Sequence, residues 1–144
     1  MERHKVLRSG SLKRTGFERK RKDTGPSLRV RLKVIRRDEG RCAFAMCGLP
    51  AACIHHRYER KSGGVGPKSP AIGWINQPPN LLCACLYHND WCSNQHPEEA
   101  WEIGWLWRSG DLPAADVPVL TFHDPLPIYL NPDGTWTRFE ERAA

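Results

Sequence analysis

The chain has 144 residues and a formal net charge of +6, and 40% of its residues are hydrophobic. This length predicts one domain with tails, and so small a core, interrupted by 12 Pro and 12 Gly, commonly needs a metal or disulfides to stabilise it. The absence of an apolar run of roughly 18 residues argues against a membrane span, and an N-terminus without an apolar signal region leads us to expect a cytoplasmic protein.

Positive charge is concentrated in the first part of the chain. Residues 1–41 contain 15 Lys and Arg against 5 Asp and Glu, whereas the remainder contains 7 against 11. Residues 1–26 have few apolar side chains and include the basic run Arg19, Lys20, Arg21 and Lys22. We expect a disordered basic arm that lies along DNA, because contacts between such an arm and phosphates release counterions. The alternative is a solvated tail without a specific partner.

The segment 27–38 fits either a strand or a helix. Its apolar residues alternate, yet Leu28, Leu32 and Ile35 also recur at helical spacing. Ser27 is a suitable first residue for a helix and the run 38–40 is a suitable stop, so we predict a helix. Residues 51–58 follow as a short strand that reaches two adjacent histidines.

The remaining elements are short. Residues 59–79 contain several Gly and Pro and predict a long surface loop. We expect a buried strand over 81–85, a helix over 88–94, and a second helix from Pro97, where acidic residues occupy the first turn. Residues 105–107 suggest a strand, and residues 128–139 a β-hairpin that turns at Asn131-Pro132-Asp133-Gly134.

Six cysteines in a chain without an export signal favour metal binding over disulfides. Two short-spaced pairs of soft ligands on separate turns suit a tetrahedral zinc ion. The spacing predicts a structural zinc site formed by Cys42, Cys47, Cys85 and His88, with Cys83 and Cys92 as rivals for the second pair. Buried, chemically inert cysteines are the alternative.

A second group of residues suits the hydrolysis of phosphodiesters. The reaction needs a base that deprotonates water and a cation that stabilises negative charge. His55 and His56 are adjacent, so they can serve one site only if their strand ends or distorts there. The alternative is one histidine in the core and one in solvent.

Several short motifs occur in the order found in HNH endonucleases, and they most resemble those of small tailed-bacteriophage proteins associated with the DNA-packaging terminase. The likeness covers roughly residues 27–120. It is carried by Cys42 to Cys47, His55-His56-Arg57, Gly63-Gly64, Asn76-Gln77-Pro78-Pro79-Asn80-Leu81-Leu82, Asn89-Asp90-Trp91, Glu99-Ala100, Gly104-Trp105-Leu106 and Gly110-Asp111-Leu112-Pro113.

The resemblance implies an α+β protein with a small ββα-metal (HNH) fold, a zinc knuckle, flanking helices and a C-terminal β-hairpin. The nuclease domain is expected over 27–112 and a C-terminal extension over 113–144. By position, His56 is the general base and Asn80 holds the catalytic loop. His55 and Asn89 are the implied ligands of the catalytic metal. We therefore expect His56, Asn80 and Asn89 to meet around one cation.

The implied catalytic site contains no carboxylate ligand. Neutral imidazole and amide ligands hold Mg2+ poorly and suit Mn2+, Co2+ or Ni2+ better. The resemblance further implies contact of Arg57 and Arg60 with double-stranded DNA, and Lys61 in the same loop is expected to contact phosphates as well. It also implies possible partners in the terminase large subunit and the portal within the host cytoplasm. The rival interpretation is a zinc-stabilised DNA-binding or packaging-accessory protein without catalytic activity.

Overall fold

The computed structural model describes residues 24–59, 65–107 and 112–143. Most of the predicted arm, including Arg19, Lys20, Arg21 and Lys22, lies outside the described residues, as do Arg60 and Lys61. Within the described parts the protein is α+β, with four helices and two small antiparallel sheets. None of the described helices has the length and apolar character of a membrane span.

The helices are α1 (Leu28–Arg37), α2 (Leu86–Asp90), α3 (Pro97–Glu102) and α4 (Phe139–Ala143). The strands are β1 (Cys53–His56), β2 (Leu81–Ala84), β3 (Val119–Thr121), β4 (Asp124–Leu130) and β5 (Trp136–Arg138). Short 3-10 turns span Pro70–Gly73, Pro78–Asn80 and Ala114–Asp116, and a π-helical turn spans Trp91–Gln95.

The predicted first helix is confirmed as α1. The Ser27 side chain accepts a hydrogen bond from the Val30 amide, which caps the N-terminus. The helix ends in a left-handed turn, with φ of 55° at Glu39 and 68° at Gly40, and the Gly40 amide donates to the Ile35 carbonyl. Helical spacing prevails over alternation because α1 buries one narrow face, through Val34, against β2.

The two sheets share one core. Strands β1 and β2 pair antiparallel, with His55 opposite Leu82 and His56 opposite Leu81, and α2 follows β2 directly. The strands β3, β4 and β5 form the second sheet, and the predicted hairpin is confirmed by the pairing of Leu130 with Trp136. Leu82 from the first sheet and Ile128 from the second belong to the same buried cluster. The expected extension 113–144 therefore packs into the core of residues 27–112.

The prediction of a strand over 105–107 is wrong. These residues follow α3 in an irregular turn, where the Trp105 indole is buried and donates to the Leu120 carbonyl. The turn depends on Gly104, whose φ is 75°, because a Cβ there would lie 2.1 Å from the Pro118 carbonyl oxygen. The backbone of residues 117–119 packs against this turn, and residues 105–107 do not form the strand that the sequence pattern suggested.

A buried ionic network ties α1 to both sheets. The Asp38 carboxylate accepts hydrogen bonds from the Arg37 guanidinium at 2.7 and 2.9 Å and from the Cys83 amide at 2.8 Å. His123 Nε2 lies 3.1 Å from the same carboxylate, and Arg37 also donates to the Leu81 carbonyl. His123 had no role assigned from the sequence, yet it joins the β3–β4 turn to α1.

This network predicts a loss of stability in acid. Burial raises the pKa of the Asp38 carboxyl, but His123, Arg37 and the Cys83 amide outweigh burial, so its pKa lies below 3.8. The unfolded chain then binds the proton more tightly, so the contribution of Asp38 is complete above about pH 4 and is lost as the pH falls through the folded pKa. Urea unfolding between about pH 7 and pH 3 should show a steeper fall for the wild type than for Asp38→Asn. Parallel curves would contradict this assignment.

Candidate metal centre and polar cleft

The four predicted zinc ligands lie together. Cys42 follows the end of α1, Cys47 sits in a tight turn, and Cys85 and His88 occupy the N-cap and first turn of α2. The ligand atoms all lie within 4.8 Å of one another. Individual separations are 3.5 Å from Cys42 Sγ to His88 Nδ1, 3.3 Å from Cys85 Sγ to His88 Nδ1, and 3.9 Å between the Sγ atoms of Cys47 and Cys85. A tetrahedral zinc ion with bonds of about 2.0–2.3 Å separates its ligands by about 3.5–3.8 Å.

The chemistry of this cluster also suits a metal. Burial raises the pKa of the Cys42 thiol to about 12, which disfavours the thiolate. A bound cation would favour the thiolate instead. Phe44 stacks on the His88 ring with 3.9 Å between ring centroids and holds the imidazole in place. The rivals Cys83 and Cys92 are buried outside the cluster. The Cys3His group could therefore hold a metal ion such as zinc, with four protein ligands and no position left open.

A cleft of about 810 Å³ lies beside the first sheet. Strand β1 ends at His56, and His55 and His56 both line the cleft, together with Asn89 from α2. The pairing with β2 is regular through both histidines, and their rings have different partners, Asn89 and Trp105 for His55 and Asn76 for His56. Arg31 and Glu59 also border the cleft, so it combines imidazole, amide, cationic and carboxylate groups.

His55 is held between two partners. Its Nε2 lies 3.0 Å from the Trp105 carbonyl oxygen, and its Nδ1 lies 3.1 Å from Asn89 Oδ1. Burial lowers the pKa of His55, and the contacts with Trp105 and Asn89 offset part of this effect. Because the Trp105 carbonyl only accepts, Nε2 donates to it, and in the neutral ring Nδ1 then has no proton for Asn89 Oδ1, so two acceptor atoms face each other.

His56 has a different partner. Its Nε2 lies 3.0 Å from Asn76 Oδ1, and the Asn76 amide nitrogen donates to the Thr24 carbonyl at 2.9 Å. No role was predicted for Asn76, because nothing in a separation of twenty residues across a loop indicates contact with His56. Glu59 also had no predicted role, although it lines the cleft.

Asn80 does not join the cleft residues. It is fully buried, its Oδ1 accepts from the Tyr58 amide at 2.7 Å, and its Nδ2 donates to the Ile75 carbonyl at 2.9 Å. The expectation that His56, Asn80 and Asn89 meet around one cation is therefore wrong for Asn80. Its contacts instead tie together the two ends of the loop between β1 and β2.

Arg57 is also placed differently from its prediction. The side chain is completely buried, and its guanidinium donates to the backbone carbonyls of Gly104, Pro79, Ala114, Val117 and Pro118. Burial and nearby Arg37 lower its pKa, whereas five carbonyl acceptors stabilise the charged form. The prediction that Arg57 contacts DNA is wrong, because no phosphate can reach it.

Fold and site together define a small α+β protein with a Cys3His group that could hold a metal ion such as zinc. Comparison with protein families, with curated proteins and with solved structures finds no match to this chain.

Proposed function

We propose that the protein is a metal-dependent HNH-type endonuclease that nicks or cleaves double-stranded DNA. The observation that carries the proposal is the convergence of His55, His56 and Asn89 in one cleft, beside the Cys3His group. The order β1, β2, α2 is the order of elements expected of a ββα-metal fold, which supports the proposal. A zinc ion bound by the Cys3His group would serve folding rather than chemistry, since all four ligands would come from the protein.

His55 and Asn89 fit a divalent cation. The lone pair of His55 Nδ1 and the amide oxygen of Asn89 are 3.1 Å apart, and adjacent octahedral ligands with bonds of about 2.1 Å are about 3 Å apart. The proton on His55 Nε2 is held by the Trp105 carbonyl, an arrangement that orients metal-bound histidines in general. When bound, the cation supplies stabilisation of negative charge on the phosphate and the leaving oxygen.

The chain's own residues perform the proton transfer. His56 accepts a proton from a water molecule as the water oxygen attacks phosphorus. The bond from phosphorus to the leaving oxygen breaks, and this oxygen takes a proton from solvent, which leaves a phosphate monoester and a hydroxyl. Asn80 holds the loop that follows His56 through its contacts with Tyr58 and Ile75.

Positive charge near the cleft supports a DNA substrate. Exposed Arg31 of α1 lines the cleft, whereas exposed Arg29 and Arg36 lie on another face of the helix, beside the 133–135 turn. The arm residues Arg19, Lys20, Arg21 and Lys22, together with Arg60 and Lys61, extend this proposal to parts of the chain outside the described residues. Arginine and lysine side chains bind phosphates, which are the same at every base pair, so we expect little sequence preference. A role in phage DNA packaging with the terminase large subunit and portal in the host cytoplasm completes the proposal.

The metal preference follows from the ligands. Nicking of supercoiled plasmid in Mn2+ or Ni2+ is expected to be at least as fast as in Mg2+, because imidazole and amide ligands bind the former ions better. The assay should compare Mg2+, Mn2+, Co2+ and Ni2+ at equal concentration, with no added metal as the control. Nicking in Mg2+ with no response to Mn2+ or Ni2+ would contradict the assignment of His55 and Asn89. Plasmid binding without nicking in any metal would favour the accessory-protein interpretation.

A further inference from the structure

The side-chain amide of Asn76 connects His56 to the segment that precedes α1. It lies between two groups of known hydrogen-bonding character, the His56 ring at 3.0 Å and the Thr24 carbonyl at 2.9 Å. Asn76 itself is part of the loop that Asn80 closes, since the Asn80 side chain bonds the carbonyl of neighbouring Ile75. The amide is therefore held at a defined place relative to β1.

These contacts determine which way the amide points. A backbone carbonyl has no proton to donate, so the Thr24 carbonyl must receive Nδ2 of Asn76. The oxygen Oδ1 then faces His56, and since Oδ1 only accepts, His56 Nε2 must carry the ring proton. In the neutral imidazole the lone pair is consequently on Nδ1.

We propose that Asn76 is a positioning residue that holds the His56 ring in the Nε2–H tautomer. This inference rests on the proposed function in one respect, that His56 is the general base. The sequence resemblance gave Asn80 the task of holding the loop, and within the described residues its side chain hydrogen-bonds to backbone atoms of Tyr58 and Ile75. Support of the loop and orientation of the base are thus divided between two asparagines four positions apart.

The segment before α1 takes part in this arrangement. Gly25 and Pro26 line the cleft, and the Pro26 carbonyl accepts from Arg31 of α1 at 2.9 Å. This anchoring keeps the Thr24 carbonyl in place opposite Asn76. The orientation of the base therefore depends on residues from three separate stretches of the chain.

Two substitutions distinguish the effect of the hydrogen-bond acceptor for His56 from the effect of having a polar side chain of this size at position 76. Asn76→Ala removes the acceptor for His56, whereas Asn76→Asp keeps an oxygen acceptor of nearly the same shape and loses only the donor to the Thr24 carbonyl. In plasmid nicking, Asn76→Ala is expected to lower kcat by about 10- to 100-fold with KM changed by less than about twofold, since orienting groups act on the reacting geometry. Asn76→Asp should stay within about threefold of the wild-type kcat.

A second measurement does not depend on activity. Long-range proton–nitrogen NMR correlation of the histidine rings, under mildly alkaline conditions, reports which ring nitrogen carries the proton. We expect the Nε2–H form of His56 in the wild type and in Asn76→Asp, and a mixture of tautomers in Asn76→Ala. Zinc content and far-UV circular dichroism establish that each variant is folded.

Each outcome decides the inference. Unchanged kcat in a folded Asn76→Ala, retention of a single Nε2–H tautomer in that variant, or Asn76→Asp behaving like Asn76→Ala would overturn it. If Asn76→Ala does not fold, loss of the Nε2–H form in Asn76→Asp overturns it instead. A wild type that nicks in no metal would sink the proposed function, whereas the tautomer measurement would still decide whether Asn76 positions His56.

Discussion

Replacing Cys47 by serine is expected to abolish stoichiometric zinc binding and to unfold the protein at room temperature. The Cys3His group joins the turn after α1 to the first turn of α2, so its loss separates the elements that surround the cleft. Structural zinc contributes about 10–16 kcal/mol in zinc-finger peptides, whereas whole domains are stable by only about 5–15 kcal/mol. Cys47 is half-buried and serine is nearly isosteric, so no large cavity complicates the result.

Cys53→Ser is the matched control. Cys53 is also half-buried, but it lies outside the Cys3His group and donates to the Ala84 carbonyl, a bond that a hydroxyl can replace. Zinc per chain by elemental analysis and thermal unfolding by circular dichroism should separate the variants, with Cys53→Ser close to the wild type. One zinc per chain and a cooperative unfolding transition in Cys47→Ser would contradict the assignment of the Cys3His group as a zinc site that stabilises the fold.

Substitution His56→Ala is expected to lower plasmid nicking by about 10²- to 10⁴-fold, because general-base catalysis contributes about that factor. His56 lines the cleft at the end of β1 and is not a member of the Cys3His group. Zinc content and DNA binding should therefore be unchanged. The readout is the initial rate of conversion of supercoiled to open-circular plasmid in the metal that supports the fastest reaction.

The control for this substitution is His96→Gln. His96 is the N-cap residue of α3, its side chain is 48% exposed, and it pairs with Glu99 outside the cleft. The wild-type nicking rate is expected to persist in this variant. A His56→Ala protein that nicks at the wild-type rate, free of contaminating nuclease in a mock purification, would end the assignment of His56 as the base. Equal loss in both variants would point to stability rather than chemistry.

Local patterns predicted much of the secondary structure and the ligand cluster. The apolar spacing and cap residues of 27–38 predicted α1, and the turn at 131–134 predicted the β4–β5 hairpin. The set Cys42, Cys47, Cys85 and His88 was identifiable because each pair lies within one short turn, so spacing alone brings its two ligands close. The nuclease assignment, in contrast, came from resemblance and stays a proposal.

Polar side chains that cross between distant segments were predicted poorly. Arg57 is a basic residue beside the proposed base, yet it is buried among five carbonyls, most of them from residues 104–118. The same limit applies to the contact of Asp38 with His123 and of His56 with Asn76, which join residues far apart along the chain. Their residue types were evident, but their partners were not.

The sequence by itself determined the type and approximate place of α1 and of the β4–β5 hairpin and which soft ligands can share one ion, because those properties depend on neighbours a few residues apart. Only the tertiary structure decided that Asn80 supports a loop while Asn76 faces the base, and that Arg57 lies in the interior. The physical reason is that a buried polar group must find a hydrogen-bond partner wherever packing brings one. Packing between distant segments, rather than local spacing, sets which partner that is.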